Sequence, residues 1–146
     1  MNFPILSSLI LLPLIGSLFI LFKKDKEKED STRQSIKYVA LFTSFTNFFI
    51  SIYLWYIFDN SFSGFQFIEE KEWLKGYINY KVGIDGISIL FVILTTLIVP
   101  LCIVAVNNTV KIRLKEFLIA ILIMESLMIG VFSSLDLVIF YLFFEG

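Results

Sequence analysis

Four long apolar runs divide this chain: Phe3 to Phe22, Ile36 to Phe58, Val82 to Val106 and Phe117 to Ser133. Each approaches the roughly 20 residues that a helix needs to cross a hydrocarbon core about 30 Å thick. In lipid the backbone must satisfy its own polar groups, so such runs fold as helices. A water-soluble domain of 146 residues has nowhere to hide four of them. With 58% of residues hydrophobic and 17% aromatic, the chain reads as an integral membrane protein.

The polar inventory excludes several functions. A net charge of -1 offers no basic footprint for nucleic acid. There is no histidine, and the one cysteine, Cys102, lies inside an apolar run, which leaves neither a disulfide nor a Cys/His metal cluster. The first positive charge, Lys23, follows the first apolar run, so residues 3–22 lack the basic start of a signal peptide and read as a retained transmembrane helix.

The predicted organisation is a single membrane domain, 1–146, with helices at about 3–22, 36–58, 82–106, 117–133 and the start of a fifth at 134–146; loops fall at 23–35, 59–81 and 107–116. Pro4 suits a helix start, whereas Pro13 and Pro100 predict kinks within segments one and three. Segment two carries Thr43, Ser44, Thr46, Asn47 and Ser51, groups able to hydrogen-bond a neighbouring helix. In the second loop Phe65, Phe67, Trp73, Tyr77 and Tyr80 fit an aromatic belt, and Phe65-Gln66-Phe67 alternates like a short strand. Asp85 is placed to cap the third helix. Ser133-Ser134-Leu135-Asp136 reads as a capping box for the fifth. That fifth helix is too short to span, so the chain is expected to be part of a longer membrane domain.

Two carboxylates lie deep in the apolar segments. Glu125 is about 12 Å into the fourth segment, and Glu145 lies about 13 to 14 Å beyond Asp136 at the helical rise per residue. Both depths are near the middle of a bilayer, where an acid is a functional candidate by default. They admit two readings: a proton pathway, or ties that accept hydrogen bonds from neighbouring helices. No Lys or Arg lies at comparable depth, so a basic partner is expected outside this sequence. The first and third loop regions hold nine Lys or Arg and the second holds three, which predicts an N-terminus on the outer face.

The run MESLMIGVFSSLDLVIFYLFFEG (Met124 to Gly146), with FQFIEEKEWLKGYINYKVGIDGISILFVILTTLIVPLCIV (Phe65 to Val104) before it, closely resembles the antiporter-like membrane subunit of respiratory complex I, chain 4 or subunit M. GIDGIS (Gly83 to Ser88) is shared with sister subunits and cation/proton antiporters, whereas DLVIFYLFFEG is more specific to chain 4. The resemblance covers most of residues 65–146, and residues 1–64 match in segment pattern. It implies an all-α integral membrane fold: four transmembrane helices and the first half of a fifth, the N-terminal part of a 14-helix antiporter-like subunit. It further implies that Glu145 is the essential glutamate of the FFE motif, paired with a lysine on a later helix of chain 4, and it gives Glu125 a weaker place in the same proton path. Expected partners are the other membrane-arm subunits and the lipid bilayer of a mitochondrial or bacterial inner membrane. FMN, iron-sulfur clusters and ubiquinone are expected on other subunits, with no cofactor on this chain. The alternatives are a subunit of a multisubunit Na+/H+ antiporter and a small membrane scaffold or assembly protein.

Overall fold

The computed structural model describes residues 3–24, 30–106 and 109–146. Five helices and one hairpin follow in order: α1 (Ile5–Phe22), α2 (Asp30–Tyr56), β1 (Gln66–Leu74), β2 (Ile78–Ile84), α3 (Ser88–Ala105), α4 (Leu114–Ser133) and α5 (Leu137–Glu145). The four longer helices are each long and apolar enough to cross a membrane. Helix α1 packs on α2 and α4, and α3 packs on α2 and α4, so the four close into a ring with α2 and α4 on its diagonal. Helix α5 lies against α4.

The outside of this bundle is apolar and its middle is polar. Phe42, Phe49 and Tyr53 of α2 are exposed, while Thr43, Asn47 and Ser51 of the same helix are buried. Residues spaced by four share a helix face, so the polar set forms one inward stripe. Two apolar clusters close the ends. One gathers Leu6, Leu9, Ile10, Leu54, Val82, Ile84, Ile89, Val92 and Ile129. The other gathers Ile20, Ile36, Ala40, Val99, Ile103, Leu114, Leu118, Ile121 and Leu122. Asn47, Ser51, Thr95, Thr96, Glu125 and Ser126 fall between them in sequence on every helix that contributes, and all are buried. A polar layer therefore crosses the bundle at mid-height.

The second connection is more ordered than its composition suggests. A loop was expected over 59–81 and a helix from Val82, but β1 and β2 pair antiparallel from Gln66↔Ile84 to Leu74↔Ile78. Val82 and Ile84 belong to β2 and join the first apolar cluster, so the expected helical membrane fold is present and carries one small two-stranded sheet in its second connection. The short strand suggested at Phe65 to Phe67 is the start of β1, although Phe67 itself adopts a φ of 54° within a register shift. Of the aromatic residues assigned to a belt, Phe65, Trp73 and Tyr77 are exposed, whereas Phe67 and Tyr80 pack against the first cluster. The turn between α4 and α5 joins the hairpin: Ser134 bridges Val82, and Leu135 N–H donates to the Lys81 carbonyl at 2.9 Å.

Helix boundaries shift for local reasons. Helix α2, described over Asp30–Tyr56, reaches further toward the N-terminus than residue 36, because Ser31 to Ser35 continue the helix. Helix α3 begins at Ser88 because Asp85 Oδ1 accepts the Ser88 N–H at 2.7 Å and the Ile87 N–H at 3.1 Å, the capping role expected of it. These bonds hold the Asp85 carboxyl below its ordinary value, the Ser88 backbone N–H contributing most. Helix α4 starts at Leu114, three residues earlier than expected, after Arg113 turns the chain with a φ of 57°. The capping box at residues 133–136 is not formed. Ser133 closes α4, and Asp136 alone caps α5, accepting Val138 N–H at 2.8 Å and Ile139 N–H at 3.4 Å. Helices α1 and α3 run on through Pro13 and Pro100. Pro13 has no N–H for the Leu9 carbonyl, and at the next carbonyl Ser126 Oγ donates to Ile10 O at 2.5 Å.

Candidate functional site

The polar layer is assembled by helix periodicity. On α2 the four-residue spacing of Thr43, Asn47 and Ser51 turns all three inward. On α4, Glu125 lies eleven residues after Leu114, about 16 Å along a helix whose full length is near 30 Å. The ring sets α4 across from α2, and Asn47 Nδ2 donates to Glu125 Oε1 at 2.9 Å along that diagonal. Both side chains are fully buried. Asn47 Oδ1 and Glu125 Oε2 are buried without a hydrogen-bond partner among the described residues.

The surrounding hydroxyls are engaged with one another or with the backbone. Ser51 Oγ and Thr96 Oγ1 meet at 2.7 Å, joining α2 to α3. Thr43 Oγ1 donates to the Val39 carbonyl and Thr95 Oγ1 to the Phe91 carbonyl, each at 2.8 Å. Two glycines admit the side chain of a neighbouring helix at close range. A Cβ added to Gly16 of α1 would lie 2.5 Å from Thr43 Cγ2, and one added to Gly130 of α4 would lie 2.5 Å from the Phe143 ring of α5.

Glu145 is placed differently. Helix α5 packs on α4, with Phe143 against Gly130, and a Cβ at Gly146 would lie 3.0 Å from Leu127, so Glu145 reaches the mid-height of α4, as its depth in the sequence predicted. Its side chain is exposed. The two acids are thus at similar height on adjacent helices, but the structure joins Glu125 to Asn47 and turns Glu145 outward. Among the described residues no basic side chain enters the layer: Lys115, at the start of α4, donates from Nζ to the Lys23 carbonyl at 2.7 Å, and the half-buried Arg33 donates from Nη2 to the Val110 carbonyl at 3.0 Å at the same end. Among the described residues there is no group of three or more His, Cys, Asp or Glu side chains able to hold a metal ion. Asn47 had been noted in the sequence as one hydrogen-bonding group among five. A hydrogen bond from a neighbouring helix is one of the two readings the sequence admits for Glu125, and nothing local to the sequence names Asn47 as the donor.

At the opposite end of the bundle the hairpin is tied to α1. Glu69 Oε1 accepts the Leu6 N–H at 2.8 Å, Oε2 accepts the Ser7 N–H at 3.1 Å, and the Ser7 hydroxyl also donates to Oε2. Ser7 Oγ lies 3.1 Å from the Tyr80 hydroxyl. Burial raises the Tyr80 phenol above its ordinary range, an effect offset in part by the Ser7 hydrogen bond.

An apolar exterior around a polar middle that contains an acid defines a multi-pass membrane protein of helical-bundle type. The family model described as NADH-ubiquinone oxidoreductase chain 4, amino terminus, matches residues 5–131. The chain is 48% identical over 142 residues to NADH-ubiquinone oxidoreductase chain 4 of Marchantia polymorpha, covering 97% of this chain and 28% of that protein. It is 43% identical over 147 residues to NADH-quinone oxidoreductase subunit M of Rickettsia conorii, covering 100% of this chain and 30% of that protein. A chain of respiratory complex I from Thermus thermophilus with bound NADH shares the fold, with a TM-score of 0.73 at 24% identity over 96% of this chain and 26% of that one. The chain belongs to the NADH-ubiquinone oxidoreductase chain 4 family. It spans less than a third of the length of the curated relatives it matches.

Proposed function

We propose that this chain contributes to the proton-translocating membrane arm of an NADH:quinone oxidoreductase, with Glu145 on the proton path and Glu125 as a second, interior acid. The observation that carries the reading is the pair of carboxylates at mid-height in a bundle of chain 4 type, one enclosed and one turned outward. An ionised carboxylate at that depth is costly in lipid unless protein or water surrounds it, so the outward Glu145 calls for a basic partner from later helices of chain 4. A charge that approaches or leaves such a pair alters the proton affinity of the partner, which moves protons without any redox chemistry on this chain. With one cysteine and no histidine, the sequence has no ligand set for an iron-sulfur cluster. Flavin, clusters and quinone accordingly belong to other subunits in this reading. The concentration of Lys and Arg in the first and third connections supports an N-terminus on the intermembrane-space or periplasmic side.

The test is Glu145→Gln in the complete enzyme. Loss of proton pumping together with a lowered rate of quinone reduction is the expected outcome, and unchanged values of both would remove Glu145 from the path.

A further inference from the structure

The interior of the bundle contains two acceptors that lack a donor. Asn47 and Glu125 face each other through one hydrogen bond, and each retains a buried oxygen, Asn47 Oδ1 and Glu125 Oε2, with no partner among the described residues. A buried polar atom left without its hydrogen bond is destabilising, and an ionised carboxylate enclosed without a counter-charge is more so. The neighbouring hydroxyls are already occupied. Ser51 and Thr96 bond each other, Ser126 donates to the Ile10 carbonyl, and Ser44 donates to the Leu41 carbonyl at 3.1 Å.

No described charge reaches the pair from the elements around it. Helix α1 has no titratable side chain within Ile5–Phe22. On α2, Tyr38, Tyr53 and Tyr56 point outward, and Asp30, Arg33 and Lys37 lie in the first turns, at the far end from Asn47. Cys102 of α3 is exposed, as are Tyr141 and Glu145 of α5. Lys115 of α4 is ten residues before Glu125, about 15 Å along the helix, and bonds the Lys23 carbonyl.

One proton satisfies both oxygens. A carboxylic O–H is a donor where a carboxylate has none, and the amide that already donates to Oε1 offers its own oxygen as the acceptor. We propose that Asn47 and Glu125 form a cyclic acid–amide pair, in which the Asn47 N–H donates to Glu125 Oε1 and a proton carried on Oε2 is donated to Asn47 Oδ1. Asn47 is then a positioning residue that holds the proton of the interior acid in one orientation. This deepens the part given to Glu125 above and is independent of Glu145.

The test uses the fully assembled enzyme in its membrane at neutral pH. Infrared difference spectra between wild type and Glu125→Gln should show one carboxylic-acid C=O band that is absent from the variant and that moves to lower frequency in D2O. In Asn47→Leu the same band should move to higher frequency, because the C=O loses its N–H donor. If that variant fails to assemble, Asn47→Ala removes the same amide atoms without adding volume and gives the same reading. Loss of carboxylate bands alone in Glu125→Gln would overturn the proposal, and so would an acid band unmoved by removal of the Asn47 amide. Unchanged pumping in Glu125→Gln, with the band present in wild type and sensitive to Asn47→Leu, would instead remove Glu125 from the proton path and leave the pair intact.

Discussion

Glu69 accepts the backbone N–H groups of Leu6 and Ser7, so a carboxylate from the hairpin caps the first membrane-spanning helix more than sixty residues away in the chain. The first N–H groups of a helix have no partner within it, and the helix dipole adds a partial positive charge there. Pro4, at the cap position, makes no side-chain hydrogen bond to them, so the cap is supplied through tertiary structure. Glu69→Ala is expected to cost about 1 kcal/mol, with Glu69→Gln retaining part of it. Thermal midpoints of the detergent-solubilised protein measure both; equal midpoints for wild type and Glu69→Ala would show that water caps the helix equally well.

The Asp85 cap predicts a dependence on acid pH. Hydrogen bonds from Ser88 and Ile87 hold its carboxyl below the ordinary aspartate value. A group lowered in this way contributes fully above its unfolded-state value, near about 4, and loses that contribution as pH falls through the lower folded-state value. Asp85→Asn keeps an oxygen acceptor but no charge. Wild type should exceed it in stability at neutral pH by a few tenths to about 1 kcal/mol, and the gap should close in acid. A gap constant down to acid pH would assign the difference to packing instead.

Gly16 sets the spacing of α1 and α2. A methyl group there meets Thr43 Cγ2 at 2.5 Å and Oγ1 at 2.7 Å, inside the contact distance of real side chains. Gly16→Ala should therefore destabilise the bundle by about 1 to 3 kcal/mol, despite the better helix propensity of alanine. Thr43→Ala removes the two nearest atoms and leaves its Cβ at 3.0 Å. The double variant should recover most of the loss, a coupling that a double-mutant cycle on thermal midpoints resolves.

The parts of the fold legible in sequence are those that run length alone determines. Twenty apolar residues in lipid can only be a helix, and depth along that helix follows from its rise, so the height of Glu125 was readable. Val82-Gly83-Ile84 was not, because a short apolar stretch is the same letter string in a strand as in a helix. The signal that separates them is Asp85, whose side chain caps α3 and excludes the residues before it from the helix. The inward face of α2 was legible in principle from Thr43, Asn47 and Ser51 at four-residue spacing. The partner of Asn47 was not, since it depends on α4 lying diagonally across the ring, and no local pattern encodes the order of helices around a bundle.

The start of α5 decides how firmly Glu145 is carried. Asp136 accepts the Val138 and Ile139 N–H groups, and Ile139 is the buried residue of a helix whose other large side chains are mostly exposed. The first N–H groups of a helix have no acceptor within it, so the Asp136 carboxylate supplies the bonds that hold its first turn. Asp136→Ala should lower the local opening free energy by about 1 kcal/mol, which speeds exchange of the Val138 and Ile139 amides by roughly fivefold. Asp136→Ser, which keeps a capping oxygen, should restore most of the protection. Hydrogen exchange followed by mass spectrometry reads these amides directly, with the amides inside α4 as an internal reference. Equal protection in wild type and Asp136→Ala would mean that the bridge from Ser134 to Val82 and the Leu135 bond to Lys81 anchor the turn without help from the aspartate.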